Sequence, residues 1–553
     1  MHASSRAFVA AVLSLLVTGA HAQTPPDAGA LLQQMERNRA QVLPKPAKPD
    51  FLPLPAPMQG LPGAKVTVRA FRFAGNRLLT ESQLAPVVAR FLNHPLGFNE
   101  LQQAASAIGD AYRAAGWIVR AYLPRQSITD GVVTIQVVEA VFGKLELEGG
   151  PLKRLKTDLI QRMLGTAVKP GQPIDAEALD RMLLLIDDLA GVSALGSLAE
   201  GTGHGETDVV LKVSDEALIE GDLRLDNTGS RSTGAVRGAA NVVFNSPLRI
   251  ADQATADFIH TEGSDYGRLG YLLPLGLAGW RVGGHVSRMD YHVITPEFAA
   301  LNSRGYSNTA GLDASYPLLR SRLANMYLNL GAEHKHFDNQ DAISGVTFYG
   351  EDSVSVSLSG NRFDNLLGGG ANSASLSVVS GRMDHTGSPV DGSFARLNYS
   401  ASRQQVITST LALYGAVSGQ VANGNLDSGE KFYLGGSGGV RAYPSSEAGG
   451  AEGQLVILEL RAKLPQNVDL VGFYDWGRVK VNRDNDFTGG ATLNRYGLKG
   501  AGLSLGWRAP LGTDLKAVWA HRIGDNPNPT LAGLDQDGSK IMNRFWLSAS
   551  QPF

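Results

Sequence analysis

The sequence predicts an all-β fold class, a 16-stranded antiparallel transmembrane β-barrel, preceded by two α+β domains and a short N-terminal helix. Three observations carry this. From Leu218 to Phe553 the helical period disappears and short runs alternate with period two. After residue 22 no run of 18 apolar residues occurs, so a membrane crossing must be a closed barrel, which satisfies every backbone polar group in lipid. Connections near the C-terminus alternate between short and long, as in barrels whose turns face one compartment and whose loops face the other.

The N-terminal elements come first. The chain has 553 residues and a formal net charge of -2, so it lacks the overall basic field that nucleic-acid binding needs. Arg6, the apolar run Ala7 to Val17 and the Ala20-His21-Ala22 site read as a signal peptide over 1–22, and hence as an exported protein. Residues 23–42 hold a weakly amphipathic helix built on Leu31, Leu32, Met35 and Val42. Residues 43–64 form a linker, with prolines at 44, 46, 49, 53, 55, 57 and 62 preventing helix and sheet ladders. The chain has no cysteine, which excludes thiol catalysis, disulfides and cysteine-ligated metal.

Two similar units follow, over 65–140 and 141–215. In the first, Val66 to Phe73 alternates as a strand, and Thr80-Glu-Ser-Gln83 is a capping box. Leu101, Ala105, Ile108 and Tyr112 share a helical face. Trp117 to Leu123 and Val132 to Val138 are strands, with a turn at Asp130-Gly131. The second repeats this order: a strand over 142–148, helices over 152–164 and 175–189, and strands over 192–198 and 207–213. Repetition of one element order predicts a duplicated module.

The barrel occupies 216–553. Ser353 to Ser359 sets Val354, Val356 and Leu358 opposite serines. Phe545, Leu547, Ala549 and Phe553 oppose Trp546, Ser548 and Ser550. Small polar residues facing away from an apolar band fit a lipid-facing exterior and a wet lumen. Strands fall near 453–464, 468–480, 496–508, 513–521 and 543–553, and eleven more, ending near 410–420, make sixteen.

These residues resemble the two-partner secretion transporters, the TpsB family of haemolysin and filamentous-haemagglutinin outer-membrane transporters in the POTRA-barrel superfamily. Tyr112 to Gln126 resembles the first POTRA signature of that family and Leu183 to Val192 the second. Asp226-Asn-Thr-Gly229, followed by Thr233-Gly234, resembles the start of its barrel. Val440, Arg441, Ala442 and Tyr443 resemble its V-R-G-Y motif on the sixth extracellular loop, with alanine where glycine is usual. Phe473, Asp475 and Gly477 match its F-x-D-x-G motif on strand 13. By the resemblance, the loop folds back into the barrel and Arg441 pairs with Asp475 as a gating ion pair. If the usual glycine has a positive φ, Ala442 is strained by about 1 kcal/mol. The terminal Phe553 fits the signal read by the barrel-assembly machinery.

The resemblance implies an outer-membrane pore with its POTRA domains in the periplasm. They bind the N-terminal secretion domain of a large unfolded partner of adhesin or haemolysin type. The helix over 23–42 plugs the resting pore, and transport proceeds without nucleotide, metal or other cofactor. The alternative from the same superfamily is an assembly factor that inserts other outer-membrane proteins. Gly435 to Gly439 also satisfies G-x-S-x-G, but an alternating barrel and a loop surround it and no helical pattern follows, so Ser437 is not read as a nucleophile and no enzyme is expected. His334 and His336 lie on one strand face without a third ligand.

Overall fold

A computed structural model of the protein describes residues 26–36, 65–203 and 205–553. The expected signal peptide and linker lie outside the described residues, as do both ends of the expected N-terminal helix. What is described of that helix is α1, Ala28–Glu36.

The first module contains β1 (Lys65–Thr67), β2 (Ala70–Ala74), α2 (Glu81–Val88), β3 (Pro95–Gly97), α3 (Phe98–Ala114), β4 (Val119–Tyr122) and β5 (Val132–Glu139). β2 runs parallel to β5, which pairs antiparallel with β4. The single strand expected over 66–73 is split. Val68 turns fully into the core, Arg69 N–H bonds the Gly131 carbonyl, and β1 pairs with β3 instead of the main sheet. α3 ends as its sequence directs: Gly116 has φ +87°, and Trp117 N–H bonds back to the Tyr112 carbonyl at 2.9 Å.

The second module repeats the arrangement with β6 (Val141–Glu148), α4 (Thr157–Ala167), α5 (Ala176–Asp187), β7 (Val192–Glu200) and β8 (Glu206–Asp215). β6 is parallel to β8, and β7 antiparallel to it. α4 starts later than the expected 152 because 152–156 is committed elsewhere. Lys153 and Arg154 N–H groups bond the Asp215 carboxylate, and Leu155 bridges to Ile250 on the barrel. This module is clamped to the barrel by ion pairs, Arg320 to Asp188 at 2.8 Å and Arg322 to Asp180 at 2.6 Å.

The remaining chain forms one closed barrel of sixteen strands, from Ile219–Asp226 to Asn543–Pro552, which pair with each other to close it. Closure removes the unpaired edges that a strand in lipid cannot carry. Val354, Val356 and Leu358 project outward, 58%, 51% and 41% exposed, whereas Trp546 points inward and is buried. On the side of the α+β modules the turns are short. After Leu464 the chain reverses through Gln466 and Asn467, both with positive φ. The far side is less regular than expected. Strands seven (Ala324–Asp341) and eight (Gly345–Asp364) meet there through three residues, but at 18 and 20 residues they are long. At the seam, Gly221 and Phe553 exchange backbone hydrogen bonds of 3.0 Å, and the Phe553 ring lies where a Gly221 side chain would be.

Candidate functional site

The site is built in the lumen by a loop and a helix. The loop joins strand eleven (Leu411–Ala422) to strand twelve (Glu452–Leu464) and is closed at its neck by pairing of Phe432–Tyr433 with Gly449–Gly450. Glycines allow it to double back. A methyl on Gly439 would sit 1.9 Å from the Leu434 carbonyl oxygen and one on Gly435 2.1 Å from that of Pro444, while Gly436 has φ +101°. Ser437 is exposed on this turn, in a segment with no helix after it.

The loop tip is buried: Val440, Ala442 and Tyr443 have no exposed surface. Arg441 engages Asp475, on strand thirteen (Val468–Lys480), by three bonds. Nε donates to Oδ2 at 2.9 Å, Nη2 to Oδ1 at 2.6 Å, and the backbone N–H to Oδ2 at 3.0 Å. Its third nitrogen, Nη1, donates to Glu459 Oε1 at 2.8 Å. The guanidinium lies 3.5 Å over the Phe473 ring, and Trp546 Nε1 donates to the Arg441 carbonyl at 2.8 Å. A planar fork between two carboxylates and a ring is a geometry that lysine cannot reproduce. Burial raises the cost of every charge here, and the bidentate pairing offsets it.

Ala442 has no positive φ, so the strain anticipated for it is not present. Its methyl group finds room because strand fourteen (Arg495–Arg508) carries Gly500 opposite: a Cβ there would lie 2.7 Å from that of Ala442. Gly477 makes similar room for Leu434.

Sequence reasoning missed Glu459, although its neighbours Leu458 and Leu460 are exposed to lipid and alternation turns it inward. It also missed the base of the loop. Glu430 accepts from Lys335 at 2.8 Å and from Arg396 at 2.6 Å, tying the loop to strands seven and ten (Gly392–Val406).

α1 crosses the lumen against this base. The nine described residues would not hold a helix alone in water, and docking supplies stability to them. Leu31, Leu32 and Met35 are buried against Met289, Phe337 and Tyr349 of the wall. Burial of each such side chain contributes about 1.5–3 kcal/mol. Polar latches fix its ends. Ala28 N–H bonds Asn339 Oδ1 at 2.9 Å, Ser428 Oγ bonds Asp27 Oδ1 at 2.5 Å, and Gln33 donates to the Lys431 carbonyl. Gly29 lies directly on the loop: a Cβ there would be 2.6 Å from Ser428 Oγ and 2.8 Å from Asp427 Oδ1. Asp226-Asn-Thr-Gly229 is a junction. The Thr228 carbonyl accepts from Gln34 on α1 and from Ser445 on the loop, while Asp226 pairs with Arg237 at 3.0 Å.

Burial, and then the neighbouring Asp27, push the Asp427 carboxyl up to about 6; Glu430 acts in the same sense, while Lys431 and the Gly429 N–H oppose. A raised carboxyl pKa means that the docked state binds the proton more tightly. Docking is therefore firmest in acid and weakens as pH rises from the ordinary aspartate range through about 6. Pore openings in planar bilayers are expected to be more frequent at pH 7.5 than at pH 5, and Asp427→Asn is expected to flatten the difference.

His334 pairs with Asp352 at 2.7 Å on the outward face, and the His336 ring stacks on Phe348. In the first module, Tyr112 is fully buried and donates to Glu139 Oε1 at 2.9 Å. The same oxygen accepts from Arg77 and Leu78 N–H. Burial, and then this bond, push the phenol above its ordinary range. Tyr112→Phe is expected to destabilise the module by about 1 kcal/mol, read from thermal unfolding.

A closed barrel, two α+β modules of which the second is clamped at its turn side, and a lumen filled by the chain's own helix and loop define an outer-membrane transporter of the POTRA-barrel class. The chain belongs to the family described as haemolysin secretion/activation protein ShlB/FhaC/HecB, whose profile matches residues 205–509, more than half of the sequence. Residues 66–140 match the POTRA domain of ShlB type. The chain is similar to the heme/hemopexin transporter protein HuxB of Haemophilus influenzae, 26% identical over 505 residues, covering 87% of this chain and 88% of that one. It is 24% identical over 495 residues to the outer membrane transporter CdiB of Escherichia coli O6:K15:H31, covering 84% and 83%. Among solved structures, CdiB from Escherichia coli shares the fold at a TM-score of 0.70 and 20% identity, over 96% of this chain and all of that one. BamA from Haemophilus ducreyi lacking POTRA domains 1-3 shares it less closely, at 0.54 and 14%, over 89% of this chain and all of that one. The family match favours secretion over the insertion alternative. The protein is an outer-membrane transporter, with its modules on the periplasmic side.

Proposed function

We propose that this transporter captures one large, unfolded partner through its POTRA domains, passes it through the lumen as an extended chain, and releases it to fold outside. The observation that carries this reading is the lumen itself. It is occupied by two segments held by separate latches, α1 and the tip of the sixth loop, and neither belongs to the barrel wall. A passive pore has no use for such occupants. In this reading α1 is the resting plug, and Arg441, Asp475 and Glu459 hold the loop in its working position. Folding on the far side makes return unfavourable, so no nucleotide is required.

Capture is proposed at a sheet edge. β2, β4, β6 and β7 each pair on one side only within their three-stranded sheets, and an extended segment adds to such an edge by backbone hydrogen bonds. Phe553, exposed at the closing seam, is proposed as the signal read by the barrel-assembly machinery. The test is secretion of a reporter fused to the N-terminal domain of the partner, in cells with and without this transporter. Reporter in the medium only when the transporter is present supports the reading. Reporter kept in the periplasm, with other barrels missing from the outer membrane on depletion, supports an insertion factor instead.

A further inference from the structure

The wall beneath α1 has properties that a plug alone does not require. We propose that this wall is the track for the translocating chain, an unfolded polypeptide bearing apolar side chains, which takes the place of α1 in the open pore. The inference rests on the secretion reading and specifies where in the lumen the secreted chain runs.

Two independent features of the wall support it. The first is apolar. Tyr266, Met289, Phe337, Tyr349 and Met383, from strands four, five, seven, eight and nine, form one cluster with Leu31, Leu32 and Met35 of α1. Departure of α1 leaves that cluster facing the lumen, uncovered. Methionine adapts its shape to whatever lies against it, which suits a surface that must meet many different side chains in succession.

The second feature is polar. Ser287 stands opposite Thr309, and Met289 opposite Ser307, across strands five (Trp280–His292) and six (Arg304–Arg320). Ser287, Ser307 and Thr309 are 6%, 1% and 4% exposed, and their hydroxyls have no hydrogen-bond partner among the described residues. With α1 docked, none of its described groups bonds them. An extended chain presents an unpaired N–H and C=O at every residue, and a hydroxyl both donates and accepts. The interleaved apolar and hydroxyl wall therefore matches an extended polypeptide better than it matches its resting occupant. Plug and cargo become competitors for one surface.

The test uses the full chain in planar bilayers, opened by Gly29→Leu. Two synthetic unfolded peptides of equal length and charge are driven in from the periplasmic side, one of leucine and serine, the other of glycine and serine. The leucine-serine peptide is expected to block the current about ten-fold longer per event, a difference of about 1.4 kcal/mol. Met289→Ser with Phe337→Ser is expected to remove that difference. Equal block times for the two peptides, or block times unchanged by the double substitution, overturn the proposal. If the variant conducts and neither peptide enters, the secretion reading itself falls, and the track with it. A second measurement does not depend on the double variant folding. The chain has no native cysteine, so Ser307→Cys offers one thiol to a maleimide. The leucine-serine peptide is expected to protect it and the glycine-serine peptide to leave it reactive; equal labelling under both overturns the proposal.

Discussion

Arg441→Ala is expected to lower secretion at least ten-fold while the barrel remains assembled in the outer membrane. The substitution removes three side-chain hydrogen bonds and leaves two carboxylates, Asp475 and Glu459, without their shared cation in a buried site. Only the bond from the backbone N–H of residue 441 to Asp475 survives. Breaking one side of a buried ion pair costs about 3–5 kcal/mol, and about 1.4 kcal/mol is already a factor of ten in occupancy. The loop tip therefore leaves its seat, whereas the wall keeps every ladder hydrogen bond. Arg441→Lys rescues little, because an ammonium cannot bond both carboxylates and cover the Phe473 ring in one geometry. Secreted reporter, measured at matched amounts of heat-modifiable barrel, separates loss of function from loss of assembly.

Gly29→Leu is expected to free α1 from its seat in the lumen. The substitution drives a side chain into Ser428, Asp427 and the Gly429 backbone, all within 2.9 Å of the Cβ position, and the last of these cannot swing away. The contacts of Ala28 with Asn339 and of Asp27 with Ser428, which depend on close approach, are then lost together. Leucine is a better helix former than glycine, so any loss of plugging comes from the docking surface and not from the helix. Conductance in planar bilayers is expected to change from brief openings to a sustained open level. Gly29→Ala adds only the Cβ and is expected to lie between the two. An unchanged closed pore in Gly29→Leu would remove the loop base from the plugging mechanism.

The barrel was legible because its signals are local. Alternation placed strand thirteen at 468–480, where the structure has Val468–Lys480. The duplicated modules were legible for the same reason, through helix faces and turn residues. What stayed hidden depends on distance along the chain. The contact of Ala28 with Asn339 spans 311 residues and that of Ser428 with Asp27 spans 401, and nothing near Gly29 marks it as a contact point. Glu459 was recoverable in principle, as a lone carboxylate on the inward phase of an apolar strand. The accommodation of Ala442 was not, since it depends on Gly500, one of many glycines in barrel strands. The break between β1 and β2 was hidden because Val68 continues the apolar alternation while its backbone bonds elsewhere.

Fastening α1 to the loop tests whether it must leave the lumen during secretion. Asp27→Cys with Ser428→Cys, in a chain that has no native cysteine, puts two thiols where side chains already touch, and a short bis-maleimide joins them. Secretion of the reporter is then measured before and after cross-linking, with each single substitution treated alike. Secretion is expected to stop only in the cross-linked double variant, because α1 must leave the lumen for the partner to pass. Secretion that continues with α1 fastened to the loop would contradict that requirement.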